Sequence, residues 1–146
     1  MSAERTPKTN KVMVSVGPWS LVALLEWQKA PQTCKHFFDL LPFSRDLIHV
    51  RWSGEACWIP LGDFQLPVPW ENATSYPAPG EILFYPGGYS ETEILLPYGP
   101  TRFASKLGQL AGNHFLSIVE GRHHLQELGQ LVLWQGAQRI SFNAEG

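Results

Sequence analysis

The sequence has 146 residues, the size of one ordinary domain, with 44% apolar residues to build a core and 16% charged residues, against roughly 25% in an average soluble domain. A net charge of −2 with no run of Lys or Arg excludes the basic footprint of a nucleic-acid binder. No apolar stretch approaches the ~20 residues that span a bilayer and the first residues lack a signal-peptide core, so a cytoplasmic protein is expected, with neither nucleic acid nor membrane as partner.

The shortage of charge, together with six Trp residues, points to extra covered surface. An oligomer interface or the apolar wall of a pocket would supply it, because Trp combines a large apolar area with one donor. Cys34 and Cys57 stand far apart with no CxxC spacing and are expected to be reduced core thiols.

Residues 1–10 read as a flexible polar leader and residues 11–146 as a single domain. Over 11–16, Val12, Val14 and Val16 alternate before Gly17-Pro18, the pattern of a strand ended by a turn. The apolar run from Ser20 predicts a buried strand ending near Glu26. Ala30-Pro31-Gln32-Thr33 then opens a helix whose apolar residues Cys34, Phe37, Phe38 and Leu41 share a face, and Pro42 stops it.

From there the pattern changes to short strands at 46–52, 55–61, 81–85, 91–96 and 113–119, divided by Gly and Pro. A second helix is expected at 122–128 with Gly129 as its C-cap, before a closing strand at 138–142. Short strands at this pitch predict a mainly β sandwich or barrel. The stretch 62–79, with Pro67, Pro69, Pro77 and Pro79, exceeds a hairpin turn and has the length of a functional loop.

Three segments carry a family likeness. Lys29-Ala30-Pro31-Gln32-Thr33-Cys34-Lys35-His36-Phe37 resembles the first helix of a cyclophilin, Ile48-His49-Val50-Arg51 its Phe-His-Arg strand, and Gly112-Asn113-His114-Phe115-Leu116 its Gly-Ser-Gln-Phe-Phe strand. Arg51-Trp52-Ser53-Gly54-Glu55, Tyr76-Pro77-Ala78-Pro79-Gly80-Glu81 and Tyr85-Pro86-Gly87-Gly88 are similar to a bacterial family of uncharacterised proteins with a cyclophilin-like fold. This resemblance implies a small closed cyclophilin-like β-barrel with two short helices. It also implies peptidyl-prolyl isomerase chemistry as one reading, with Arg51 as the donor that polarises the amide and His114 in the place of the partnering Gln. Leu116 falls where the proline slot would have a Phe.

Strand alternation puts Leu47, His49 and Arg51 on one face and Ile48, Val50 and Trp52 on the other, with the second set expected toward the core. Near the C-terminus it separates His114, Leu116 and Ile118 from Asn113, Phe115 and Ser117. Glu91 and Glu93 share a strand face, where close carboxylates push one pKa up and create an acid and base pair; a solvated strand edge is the plain alternative. His123, His124 and Glu127 lie within one helical turn, but adjacent His residues point apart and no further ligand cluster follows, so no metal and no cofactor are expected.

The leading expectation is a pocket on the outside of the barrel for a small carboxylate or amide metabolite. Its aromatic walls are Trp52, Trp58, Tyr85, Tyr98 and Phe115, its polar groups Arg51, Glu55, Glu91, Asn113 and His114, and His114 with Arg51 its catalytic candidates if it turns the ligand over. The isomerase is one alternative. An oligomeric interaction module without catalysis, a homo-oligomer, is the other.

Overall fold

A computed structural model describes residues 10–145. The leader expected at residues 1–10 lies, apart from Asn10, outside the described residues. The strands β1 (Lys11–Val16) and β2 (Trp19–Leu25) form a hairpin in which Val16 pairs with Trp19 across Gly17-Pro18. Gly17 has φ 55°, and a positive φ followed by the fixed φ of Pro is the order of a II′ hairpin turn. Val12, Val14, Val16, Leu21, Ala23 and Leu25 all point inward and are buried, as the period of two requires.

Helix α1 (Pro31–Leu40) follows, then β3 (Phe43–His49), β4 (Gly54–Gly62), the two-residue β5 (Ala73–Thr74), β6 (Glu81–Tyr85) and β7 (Thr92–Thr101). The short pair β8 (Ala104–Ser105) and β9 (Gly108–Gln109) precedes β10 (Gly112–Glu120), helix α2 (Leu125–Gln135) and β11 (Gln138–Ala144). Eight strands pair antiparallel in the order β2-β1-β11-β3-β4-β7-β6-β10, and β10 returns to β2, closing the barrel that was expected. No helix among the described residues is long and apolar enough to cross a membrane.

The interior is aromatic on one side. Phe37 of α1 meets Phe43, Phe115 and Phe142 edge-on at ring-centroid distances of 5.7, 5.0 and 5.3 Å, the preferred geometry for such pairs. Both cysteines are free and buried in this core, and burial raises each thiol to about 12. Helix α2 packs on β3, β4 and β7 through Leu125, Leu128 and Val132.

A second apolar cluster lies on the outside of the barrel. Ala56, Leu83, Tyr85 and Leu95 project outward from β4, β6 and β7 and are covered by Phe103 and Leu110, which flank the β8–β9 hairpin. Two layers of covered apolar surface, one inside the wall and one outside it, account for part of the low charge of the chain.

The structure corrects four sequence expectations. Leu47 is fully buried in the core and His49 bonds inward to Tyr98, whereas Ile48 faces an outer cavity and Val50 packs on the outer cluster. The faces of this strand are therefore the reverse of those expected, because both carry apolar neighbours and hydrophobicity alone could not choose between them. The strand also ends at His49, which leaves Arg51 in the following turn.

On β10, the register shifts between His114 and Leu116. This bulge adds a residue, so Phe115, Leu116 and Ile118 all join the core and His114 comes to share the outer face with Ser117. Helix α2 runs through Gly129 and ends at Gly136, whose φ is 89°. Gly129 is required by a close approach instead, since a Cβ there would overlap the Tyr98 ring.

Candidate functional site

The outer cluster creates the site. The turn after β3, residues 50–53, folds over the outside of β4 and is pinned to the hairpin: Ser53 Oγ accepts from the Ala104 N–H at 2.9 Å and donates to its carbonyl at 3.1 Å. A cavity of about 360 Å³ opens between this turn, the hairpin and the wall formed by β4 and β7. Arg51, Trp52, Trp58 and Glu91, all expected as site residues, line it, and so do His49, Glu93 and Lys106.

Glu93 is the unusual member. It projects outward from β7 and pairs in the ladders with Pro60 and Tyr85, yet it is only 6% exposed. Its carboxyl has no hydrogen bond or ion pair with any described residue. Burial, with the charge of Glu91 as a smaller contribution, pushes its pKa up to about 8. Such a carboxyl can give or take a proton near neutrality. Glu91 is exposed and accepts the Gly62 N–H at 3.1 Å. Arg51 and Lys106 are exposed at the rim, and neither is in an ion pair with a described residue.

His49 is held rather than free. Its Nδ1 lies 2.8 Å from the Val50 carbonyl, which can only accept, so Nδ1 carries the proton and Nε2 accepts from the Tyr98 hydroxyl at 2.8 Å. It braces the turn that carries Arg51 and Trp52.

The remaining sequence candidates lie elsewhere. Tyr85 lines a second, larger and mainly apolar cavity of about 550 Å³ with Trp70, Tyr89 and Leu107, on the other side of the hairpin. Its hydroxyl accepts the N–H groups of Tyr89 and Ser90, both at 3.0 Å. Glu55 accepts from Gln126 of α2 at 3.2 Å. Tyr98 and Phe115 point into the core, and burial raises the Tyr98 pKa.

Asn113 is wholly buried and fully occupied. Its amide donates to Thr33 Oγ1 and the Pro69 carbonyl at 3.1 and 2.9 Å, while its oxygen accepts the Glu71 N–H at 3.1 Å. Glu71 Oε2 in turn accepts from the N–H and hydroxyl of Thr33 at 2.7 and 2.8 Å, capping α1 from the long 62–79 loop. The loop is thus tied down by a buried polar network.

His114 belongs to a separate chain on the outer face of β10: its Nε2 lies 2.7 Å from Ser117 Oγ, which donates to Glu26 at 2.6 Å. Because the Ser117 proton goes to Glu26, His114 Nε2 donates, an order that does not make Ser117 a nucleophile activated by His114. Strands β6 and β7 lie between β10 and β4, so His114 and the cavity wall at Trp58 are roughly 14 Å apart at the usual strand spacing.

Sequence reading left His49 and Lys106 out of the site and named Glu93 only as one of a carboxylate pair with Glu91. Glu93 sits beside Glu91 in the same charged segment, and nothing in the pattern marks it as the buried one. The signal for Lys106 is the Gly108 turn between Phe103 and Leu110, a hairpin covered on one face.

The sequence profile of DUF3830, described as a protein of unknown function, matches residues 7–144. The chain belongs to the DUF3830 family. No curated protein matches this DUF3830 chain. Among solved structures, McbB in complex with tryptophan is similar, with a TM-score of 0.70 and 18% identity over 92% of this chain and 45% of that one. The DUF3830 chain therefore spans less than half the length of McbB. The solution structure of the hypothetical protein AF2241 from Archaeoglobus fulgidus is similar at a TM-score of 0.58 and 17% identity, covering 99% of this chain and 100% of that one. Likeness at these identities is likeness of fold.

Proposed function

We propose that this protein binds a small organic carboxylate with an apolar or aromatic body in the cavity between the 50–53 turn and the β8–β9 hairpin. One observation carries the reading: two cations without ion-pair partners among the described residues, Arg51 and Lys106, share a cavity of about 360 Å³ with the indoles of Trp52 and Trp58. Ligand sites commonly combine apolar walls with a few convergent polar groups at about this volume, roughly 300–1,000 Å³. A guanidinium recognises a carboxylate through two parallel bonds, and an indole face offers area for an apolar body. McbB, whose fold is similar, was solved with tryptophan, an aromatic carboxylate. That agrees with the reading, which rests on the cavity.

The test is a thermal-shift screen of aromatic and aliphatic carboxylates, followed by calorimetry of the hits. A ligand that binds only the folded state raises the apparent stability by RT ln(1 + [L]/Kd). Arg51→Ala is expected to weaken a hit about tenfold or more, as loss of a charge-assisted bond does, and Lys106→Ala to weaken it less. Hits insensitive to both substitutions, or a panel without hits, overturn the proposal.

A further inference from the structure

We infer that the ligand of this cavity is a zwitterion, an α-amino acid with an aromatic side chain, whose carboxylate meets Arg51 and whose ammonium meets Glu93. The inference rests on the proposed function above and deepens it by naming the substrate class. It begins from Glu93, which is 6% exposed, lines the cavity and has no polar partner among the described residues. The Glu93 oxygens are not sealed off, since Trp27 Nε1 is the one fully buried side-chain polar atom without a partner among the described residues; they open on the cavity, where a donor can complete a largely desolvated carboxyl.

The chain has little to offer for that purpose. Pro60, opposite Glu93 on β4, has no N–H, and the Tyr85 hydroxyl opposite on β6 faces the Tyr89 and Ser90 N–H groups. Glu91 is engaged by the Gly62 N–H and Ser53 by Ala104, so Glu93 is the carboxyl left open to a ligand.

Arg51 and Lys106 at the rim face two carboxyls, Glu91 and Glu93, in one cavity. A simple anion that reached Arg51 would leave the Glu93 carboxyl, kept neutral by burial, without a partner, whereas a zwitterion engages Arg51 and Glu93 at once. The neutral form that burial favours for Glu93 gives way to the carboxylate when an ammonium supplies the missing counter-charge. Trp52, 55% exposed, and Trp58 provide faces for an aromatic side chain and attract an adjacent ammonium.

Calorimetry on the full chain tests this with two probe series, L-phenylalanine and L-tryptophan, each against its desamino acid (3-phenylpropionate, indole-3-propionate) and its decarboxylated amine (phenethylamine, tryptamine). At least one amino acid is expected to bind about tenfold or more tighter than both of its truncated analogues. Glu93→Gln, which keeps the shape but cannot become an anion, is expected to bring the ratio of amino acid to desamino acid close to one. A desamino acid that binds the wild type as tightly as its parent overturns the zwitterion while leaving the carboxylate site standing, and a ratio that survives Glu93→Gln overturns the role of Glu93. Absence of binding by every probe overturns the zwitterion; the carboxylate screen then decides the broader reading. Should Glu93→Gln fail to fold by circular dichroism, the wild-type series alone decides the ligand class.

Discussion

His49 Nε2 lies 2.8 Å from the Tyr98 hydroxyl, which ties the last residue of β3 to the inward face of β7 directly beneath the turn that carries Arg51. Tyr98→Phe removes the donor and leaves a half-buried imidazole nitrogen unpaired. A loss of about 0.5–1.5 kcal/mol is expected, the usual worth of such a bond, read from urea denaturation. Unchanged stability would show that the bond does not brace the turn.

Glu93 makes stability depend on pH in a direction opposite to that of an ordinary paired carboxylate. Its ordinary value is 4.5 and its value in the fold about 8, so between these the native state holds a proton that the unfolded chain has released. Its contribution is therefore fully present below about pH 4.5 and is lost as pH rises to about 8. Denaturation midpoints across this window are expected to fall less steeply in Glu93→Gln than in the wild type, and the variant is expected to be the more stable protein above pH 8. His49, Arg51, Lys106 and Glu91 line the same cavity and are present in both proteins, so the difference between the two profiles isolates Glu93. Parallel profiles would contradict the burial effect.

Asn113 bonds at once to Thr33, Pro69 and Glu71. Asn113→Ala strands several buried partners, and a loss of about 2–4 kcal/mol is expected from bonds worth about 1 kcal/mol each plus their unmet groups. Asn113→Asp is expected to do worse, because it loses both donors and sets a second negative charge near Glu71. Limited proteolysis is then expected to cut within residues 62–79 in the variant and to spare them in the wild type; an uncut loop in the variant would mean that other contacts hold it.

At Gly129 two effects compete. Gly→Ala within a helix ordinarily gains about 1 kcal/mol from propensity, but here the added Cβ overlaps the Tyr98 ring. Overpacking of this kind costs about 1–3 kcal/mol, so the substitution is expected to destabilise on balance. A thermal midpoint above that of the wild type would show that the ring can move aside.

The barrel was legible in the sequence because local rules determine most of it. The alternation of Val12, Val14 and Val16, the Gly17-Pro18 turn, and Pro31 ahead of Cys34 and Phe37 each state an element within a few residues. The candidate site was only half legible. Arg51, Trp52, Trp58 and Glu91 were named from residue type and do line one cavity. Asn113 and Phe115 have the same chemistry as cavity-lining residues but point inward, and His114 stands across β6 and β7 from that wall.

What the tertiary structure decided was which face each strand turns outward and what then covers it. A period of two says that Ile48 and Val50 share a face but not which face is interior when both carry apolar neighbours. The bulge between His114 and Leu116 resets the alternation by one residue, and a pairing register of that kind depends on the partner strand β6 rather than on the segment itself. Glu93 differs from Glu91 because it is paired inside the sheet with Pro60 and Tyr85, whereas Glu91 precedes β7 and stays exposed. Burial, and the chemistry that follows from it, is a property of contacts made by residues far apart in the chain.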